Sequence, residues 1–321
     1  MRLATRNDGS FDGELVVVSP DGTRCLAATD IAPNLLAALE KWEQLAPLLE
    51  ARAALVASGK GEPFAAGTIC APLPRSWQWL DGSAYATHGE LMQIAFGLDP
   101  LDRERPLMYQ GMSHHFLGPL DDVPVPDMAM GIDFEGEFGV VVDAVPMGVS
   151  AEEAARHIRL IVQINDWSLR TIAPMEMKTG FGWIQAKPAC SMAPFAVTPD
   201  ELGGDWRDGR VCCRLRVAWN GSQFGNVSGA AMAFSFPQLI AHAARTRSLA
   251  AGTIIGSGTV SNPDYGIVGS ACISERRAIE IIATGQPETP YMSFGDHVVM
   301  EGVTGDGRTP FGMIRQAVIQ A

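Results

Sequence analysis

Asp133, Glu135 and Glu137, three carboxylates at alternate positions of one apolar run, are the residues whose spacing most directly suggests chemistry. Read as a strand, Met130 to Val142 sends successive side chains to opposite faces. Its even positions, from Met130 and Ile132 through Phe134, Gly136, Phe138 and Val140 to Val142, make a core face, and the odd face carries the acids. From Pro106 to Ala155 there is no Lys or Arg, while nine Asp or Glu residues occur, so no cation nearby in sequence compensates Glu135 and Glu137. Two carboxylates ~5 Å apart repel by about 3 kcal/mol at an effective dielectric of about 20. The pair therefore either stays in water as a solvated acidic face or holds a metal between its members. Oxygen-only ligands select a hard divalent cation, Mg²⁺, Mn²⁺ or Ca²⁺, over zinc. Asp166 follows the branched-apolar run 158–164 in Asn165-Asp166-Trp167-Ser168-Leu169-Arg170, at a strand terminus where it can meet a neighbouring strand's acids. Asn-Asp at such a place is also an ordinary turn former.

Taken together, Asp133-Phe134-Glu135-Gly136-Glu137 and, about thirty residues later, Asn165-Asp166-Trp167-Ser168-Leu169-Arg170 resemble the metal signature of the fumarylacetoacetate hydrolase family. The resemblance extends over roughly residues 70–305. Lys187 in Ile184-Gln185-Ala186-Lys187 matches the family's G-K segment, and Gly258-Thr259-Val260-Ser261 matches its G-T segment. Phe294-Gly295-Asp296 matches the turn before its last strand. Asp81 stands seven residues before His88, the family spacing between an additional aspartate ligand and a catalytic histidine. Tyr109 in Met108-Tyr109-Gln110-Gly111 resembles its substrate-contact tyrosine.

The resemblance implies a metal set of Glu135, Glu137, Asp166 and Asp81, catalytic His88 and Lys187, and substrate contacts from Tyr109, Arg170 and Thr259. It implies an α+β, mainly β fold: a mixed β-sandwich or roll catalytic domain over residues 71–321, usually paired as a homodimer, behind a small β-rich N-terminal domain with one helix over residues 1–70. The expected reaction is hydrolysis of a C–C bond in a 1,3-dicarbonyl or acylpyruvate-type substrate, with a 2-oxo acid or diketone as the small-molecule partner. Decarboxylation, tautomerisation or hydratase/isomerase chemistry on the same metal site is the nearest alternative. A catalytically silent ligand-binding scaffold is a further one. Three departures concern specificity: Ala173 stands where the family has a glutamine, Met177 at an aromatic position, and Gly97 where the fumarylacetoacetate-cleaving member presents an arginine. These imply a substrate other than fumarylacetoacetate.

The elements that must position these residues are written in the apolar periodicity. Glu14–Val18 and residues 25–28 read as strands around a Pro20-Asp21-Gly22 turn, and residues 34–56 show helical spacing from Leu35 to Leu49. Strands are expected over residues 131–142, 159–166, 214–219, 252–260, 278–282 and 297–301, and helices over 151–157 and 236–247. No regular strand–helix alternation occurs, which argues against a doubly wound sheet. The segment from Asp81 to His88 reads as a flexible stretch able to close over substrate.

Across its 321 residues, 47% hydrophobic and 19% charged, the chain can bury a sizeable core. A net charge of −12 disfavours nucleic acid and anionic membranes as partners. No signal-like N-terminal run, no bilayer-length apolar segment and six cysteines without C-x-x-C spacing point to a cytoplasmic protein with reduced thiols. Gly256-Ser257-Gly258 lacks a dinucleotide fingerprint, and Gly225 to Gly229 lacks the spacing of a nucleophile elbow. His114 and His115 read as loop residues, Arg245, Arg247, Arg276 and Arg277 as solvated, and Cys212-Cys213 as core strand.

Overall fold

A computed structural model describes residues 1–97 and 104–321. The chain opens with an antiparallel meander of β1 (Arg2–Arg6), β2 (Glu14–Val18) and β3 (Arg24–Ala27), with Val17 paired to Leu3 on one side and Leu26 on the other. Leu15 and Val17 of β2 join one apolar cluster, Val16 and Val18 the other, so both faces are buried and the run carries no polar alternation. The helical stretch predicted as one piece is two, α1 (Leu35–Glu40) and α2 (Trp42–Ala57), broken at Lys41. Asn34 caps the first by accepting a hydrogen bond from the Ala37 amide at 2.8 Å. Leu39, Trp42 and Leu49 pack with Leu15 and Val17, each large side chain contributing about 1.5–3 kcal/mol of burial.

After β4 (Glu62–Pro63) come β5 (Trp79–Gly82), α3 (Ala86–Phe96), β6 (Met108–Gly111) and β7 (Val123–Val125). The acid-bearing run then forms β8 (Ile132–Asp133) and β9 (Gly136–Val142), interrupted at Phe134-Glu135. α4 (Ala151–Ala155) leads through β10 (Ile158–Asn165) and β11 (Ser168–Leu169) to α5 (Ala173–Thr179). β12 (Ser191–Met192), β13 (Ala196–Val197), the hairpin β14 (Trp206–Arg207) and β15 (Arg210–Val211), then β16 (Arg214–Trp219) and β17 (Ser222–Ser228) follow. The remainder is α6 (Phe236–Ala243), β18 (Ile254–Gly256), α7 (Tyr265–Val268), α8 (Ile273–Thr284), β19 (His297–Val303) and β20 (Met313–Gln320).

Two sheets organise this α+β, mainly β fold. The larger runs β4-β3-β2-β1-β13-β10-β9-β18-β5-β6, with β12 also on β10, and the smaller runs β17-β16-β19-β20-β7. The large sheet is continuous across residue 70, because β1 pairs with β13. Phe138 and Val140 of β9 share a core with Leu215, Met300 and Phe311, while Val141 joins the cluster under α1 and α2. The large sheet is thus packed on both faces, by the smaller sheet on one and the N-terminal helices on the other.

Residues 278–282, expected as a strand, lie in α8. Branched apolar residues mimic a strand there, but the helix start is fixed from a distance. The Asp133 carboxylate accepts from the amides of Ile273 at 2.7 Å and Ser274 at 2.9 Å, and Cys272 Sγ accepts from Glu275 N at 3.2 Å. Arg276 and Arg277 are half-buried rather than fully solvated: they lie over the rings of Phe224 and Tyr291 at 4.7 and 4.4 Å. Cys213 is core as expected, whereas Cys212 is half-buried, and both fall between strands. Among the described residues no helix is long and apolar enough to cross a membrane.

Candidate metal centre

Three strands of the large sheet deliver acids to one point. Asp81 lies on β5, Glu137 on β9 opposite Ile164 of β10, and Asp166 one residue beyond β10. Each of the three can place one ligand oxygen so that all lie within 4.8 Å of one another, and all three residues are buried. β18 runs between β5 and β9, with Gly256 beside Asp81 on one side and Gly139 on the other. A Cβ at Gly256 would stand 2.3 Å from Asp81 Oδ1 and 2.4 Å from the Trp79 ring, so only glycine leaves the acid its place. Gly258, at φ +77°, donates its amide to the same Asp81 oxygen at 3.0 Å.

The electrostatics of this group call for a cation. Both oxygens of Glu137 are buried without a hydrogen-bond donor, an expensive state for a carboxylate. Burial, then the charges of Asp81 and Asp166, push Glu137 well above the usual carboxylate range. Burial, then Asp166, pushes Asp81 up to about 8. The orphaned oxygens and the all-oxygen donor set fit a hard divalent cation.

Glu135, expected as a ligand, is not in this group of three. Its carboxylate accepts from Lys187 Nζ at 2.8 Å and from the hydroxyls of Ser168 and Thr259, and Arg170 Nη2 stands 2.8 Å away. Burial acts to raise its pKa, but Arg170 and Lys187 outweigh that and hold it below the ordinary range. Lys187 also donates to Asp166 at 2.7 Å. Burial opposes its charge, yet Asp166 and Glu135 keep the ammonium above its ordinary pKa. Tyr109 donates its hydroxyl to Asp166 Oδ2 at 2.5 Å, and the Cys190 thiol donates to Oδ1 at 2.8 Å.

The predicted residues other than His88 thus come together, with partners different from those implied for Glu135, Arg170 and Thr259. Arg170 is committed to Asp133 and Glu135, and the Thr259 hydroxyl to Glu135, so in this state neither is a free substrate contact. His88 is not in a flexible stretch: it sits in the first turn of α3, with Nδ1 3.0 Å from Glu275 Oε2. The other oxygen of Glu275 is buried and unpartnered. Sequence reasoning missed Glu275, Cys190 and Trp183, and gave Asp133 no role of its own. Asp133 holds the start of α8, which carries Glu275, while Arg170 ties Asp133 to Glu135. A chain of polar contacts therefore runs from the histidine's partner to the acids. A cavity of about 170 Å³ beside α3, lined by Ser83, Tyr85, Gly89 and Leu107 among others, includes none of these groups.

The raised acids carry a pH signature. In the metal-free protein the native state keeps protons on Asp81 and Glu137 that the unfolded chain releases near pH ~4. Between there and the folded value of about 8 for Asp81, stability falls as pH rises. The depressed Glu135 acts oppositely, losing its contribution only as pH falls below the ordinary carboxylate range. The melting temperature in chelator is expected to drop between about pH 5.5 and 8, and the increment on adding Mg²⁺ or Mn²⁺ to grow over that interval as the cation displaces protons. A metal-free melting temperature that climbs with pH there would contradict the assignment.

A β-rich fold that brings three buried acids from neighbouring strands together, beside a buried lysine, defines a candidate divalent-cation centre. The chain belongs to the fumarylacetoacetate hydrolase family: residues 78–319 match the fumarylacetoacetate (FAA) hydrolase C-terminal profile and residues 1–75 the fumarylacetoacetase N-terminal domain 2 profile. Human mitochondrial oxaloacetate tautomerase FAHD2B is 26% identical over 222 residues, 67% of this chain and 65% of the relative, so the chain spans just under two thirds of that relative's length. A 2,4-didehydro-3-deoxy-L-rhamnonate hydrolase from Sphingomonas sp. (strain SKA58) is 31% identical over 48% of this chain and 52% of its own. The crystal structure of maleylpyruvate hydrolase from Sphingobium sp. SYK-6, in complex with manganese(II) ion and pyruvate, superposes with a TM-score of 0.67 at 16% identity, covering all of both chains. Hydrolases and a tautomerase thus stand among its relatives.

Proposed function

We propose that this protein is a divalent-cation-dependent hydrolase that cleaves a C–C bond in an acylpyruvate or other 1,3-dicarbonyl substrate. The observation that carries the reading is the orphaned acid in a buried three-acid cluster, and a histidine held by a buried glutamate supplies the candidate base. Asp81, Glu137 and Asp166 would hold the cation, with Mg²⁺ or Mn²⁺ suiting the donors, and Glu135 is the adjoining acid. When bound, the cation supplies Lewis-acid stabilisation of enolate charge. His88 takes a proton from water as the oxygen adds to the scissile carbonyl, and Glu275 orients the imidazole and balances its positive charge. The C–C bond then breaks, releasing a carboxylic acid, and its electron pair passes to the 2-oxo acid fragment as an enolate. The Lys187 ammonium would stabilise that charge as it develops, and protonation of the enolate carbon completes the products.

A tautomerase of 2-oxo acids is the second reading, supported by the human relative. It needs the same acids and Lys187 but no water-activating base. Incubating the protein with acylpyruvates, β-diketones and oxaloacetate, with Mg²⁺ or Mn²⁺ and again with chelator, separates the two. Metal-dependent release of a carboxylic acid together with pyruvate from an acylpyruvate, or with a ketone from a β-diketone, supports hydrolysis, whereas keto–enol exchange without cleavage supports the tautomerase. Within either reading, Lys187→Met is expected to lower kcat by about 10²-fold or more, the scale for losing one preorganised donor. Turnover within about twofold of the parent, at equal metal loading, would remove Lys187 from the chemistry. We further propose a homodimer in the cytoplasm acting on small molecules alone.

A further inference from the structure

We propose that Trp183, on the segment between α5 and Lys187, is a specificity-determining flap residue that selects 2-oxo acids carrying an aromatic or planar conjugated tail. The inference rests on the proposed 2-oxo acid chemistry and names the tail that the site accepts. Trp183 stacks on Tyr109 with ring centroids 5.4 Å apart and planes at 17°, and Lys187 Nζ lies 5.3 Å from each ring. The two rings thus flank the ammonium that would meet the reacting oxygen. Tyr109 is anchored by its hydroxyl on Asp166. Among the described residues no side-chain hydrogen bond holds Trp183, which is half-buried between exposed neighbours. Its neighbours Phe181 and Ile184 are 96% and 83% exposed.

What positions the segment is one clamp and one stack. The Glu176 carboxylate accepts from the amides of Ile184 at 3.1 Å, Gln185 at 2.8 Å and Ala186 at 3.0 Å, fixing the C-terminal side. On the N-terminal side Gly180 and Gly182 hold φ of +71° and +101°, with open space around each. Trp183 can therefore swing between these points without unpacking a core. A substrate seated by its 2-oxo acid end near Lys187 meets the indole with the part that varies between substrates. A flat π-face rewards a flat, apolar partner through offset stacking and area burial. Nothing in the pair of rings rewards a short dicarboxylate.

The test uses manganese-loaded protein and three 2-oxo acids that the proposed hydrolysis does not cleave: pyruvate, 2-oxoglutarate and 4-phenyl-2-oxobutanoate, titrated by calorimetry. The parent is expected to bind the phenyl compound about tenfold more tightly than pyruvate. Trp183→Ala should erase that preference while leaving pyruvate affinity within about twofold, and Trp183→Phe should keep most of it. Equal weakening of all three ligands by Trp183→Ala would make the indole merely structural and overturn the proposal. So would tighter binding of 2-oxoglutarate than of the phenyl compound, which would hand recognition to a cation such as the exposed Lys178 of α5. Absence of pyruvate binding by the parent would instead break the 2-oxo acid reading itself, and the flap's proposed role with it.

Discussion

Glu137→Ala is expected to abolish tight divalent-cation binding and, with it, turnover. Glu137 is the central acid of the group, on the strand between the contributors of Asp81 and Asp166 in the sheet order, and neither of its oxygens has another partner. Removing it leaves two acids that no longer enclose a site. The expected loss in cation affinity is at least about a hundredfold, the upper end of what even an outer-shell partner contributes at such centres. The fold should survive, because the variant removes a buried acid whose only side-chain contact among the described residues is with its neighbour Asp81. In chelator its melting temperature should equal or exceed the parent's. Calorimetric titration with Mn²⁺ settles the matter: equal affinity in variant and parent would sink the metal assignment.

His88→Ala should lower C–C hydrolysis by about 10²–10⁴-fold, the general-base contribution, while cation binding persists. Glu275 stands 3.0 Å from Nδ1 of the imidazole, and in the proposed mechanism Nε2 accepts the proton. Glu275→Gln should show a smaller loss, because it weakens orientation and charge balance without removing the base. Full hydrolytic turnover in His88→Ala, on a substrate the parent cleaves, would reduce the histidine to a structural partner of α8. Loss of hydrolysis with unchanged keto–enol exchange would show that one centre supports both chemistries and that the histidine alone distinguishes them.

The acids were legible because alternation on a strand is a local property. Glu137 and Asp166 lie in short runs with their own apolar frames, and the family resemblance joined Asp81 and Lys187 to them. The partner of each acid was not legible. Nothing near Glu135 in sequence shows that Lys187, 52 residues on, and Thr259, 124 residues on, will occupy its oxygens. Sequence also gave the wrong state for α8, since the carboxylate that caps it is 140 residues upstream. That error hid Glu275, which lies just inside the helix start. The same limit applied to Trp183: a single aromatic residue in a glycine-flanked loop carries no periodicity, and only the stack on Tyr109 gives it meaning. Tertiary contacts of long span decide these cases, and propensity does not record them.

The position of β18 sets when the centre can exist. β5, which carries Asp81, touches the rest of the large sheet only through β18 and β6, and β18 begins about 170 residues after β5 ends. During synthesis Asp81, Glu137 and Asp166 have all emerged while the strand that must lie between two of them is still unmade. Parallel pairing of β5 with β18 closes a long loop, an entropically slow event. Until it happens, Asp81 is not held against Glu137 and Asp166, and the flank of β9 that awaits β18 is an open edge. Cation capture therefore belongs to the end of folding, as a lock on a finished topology.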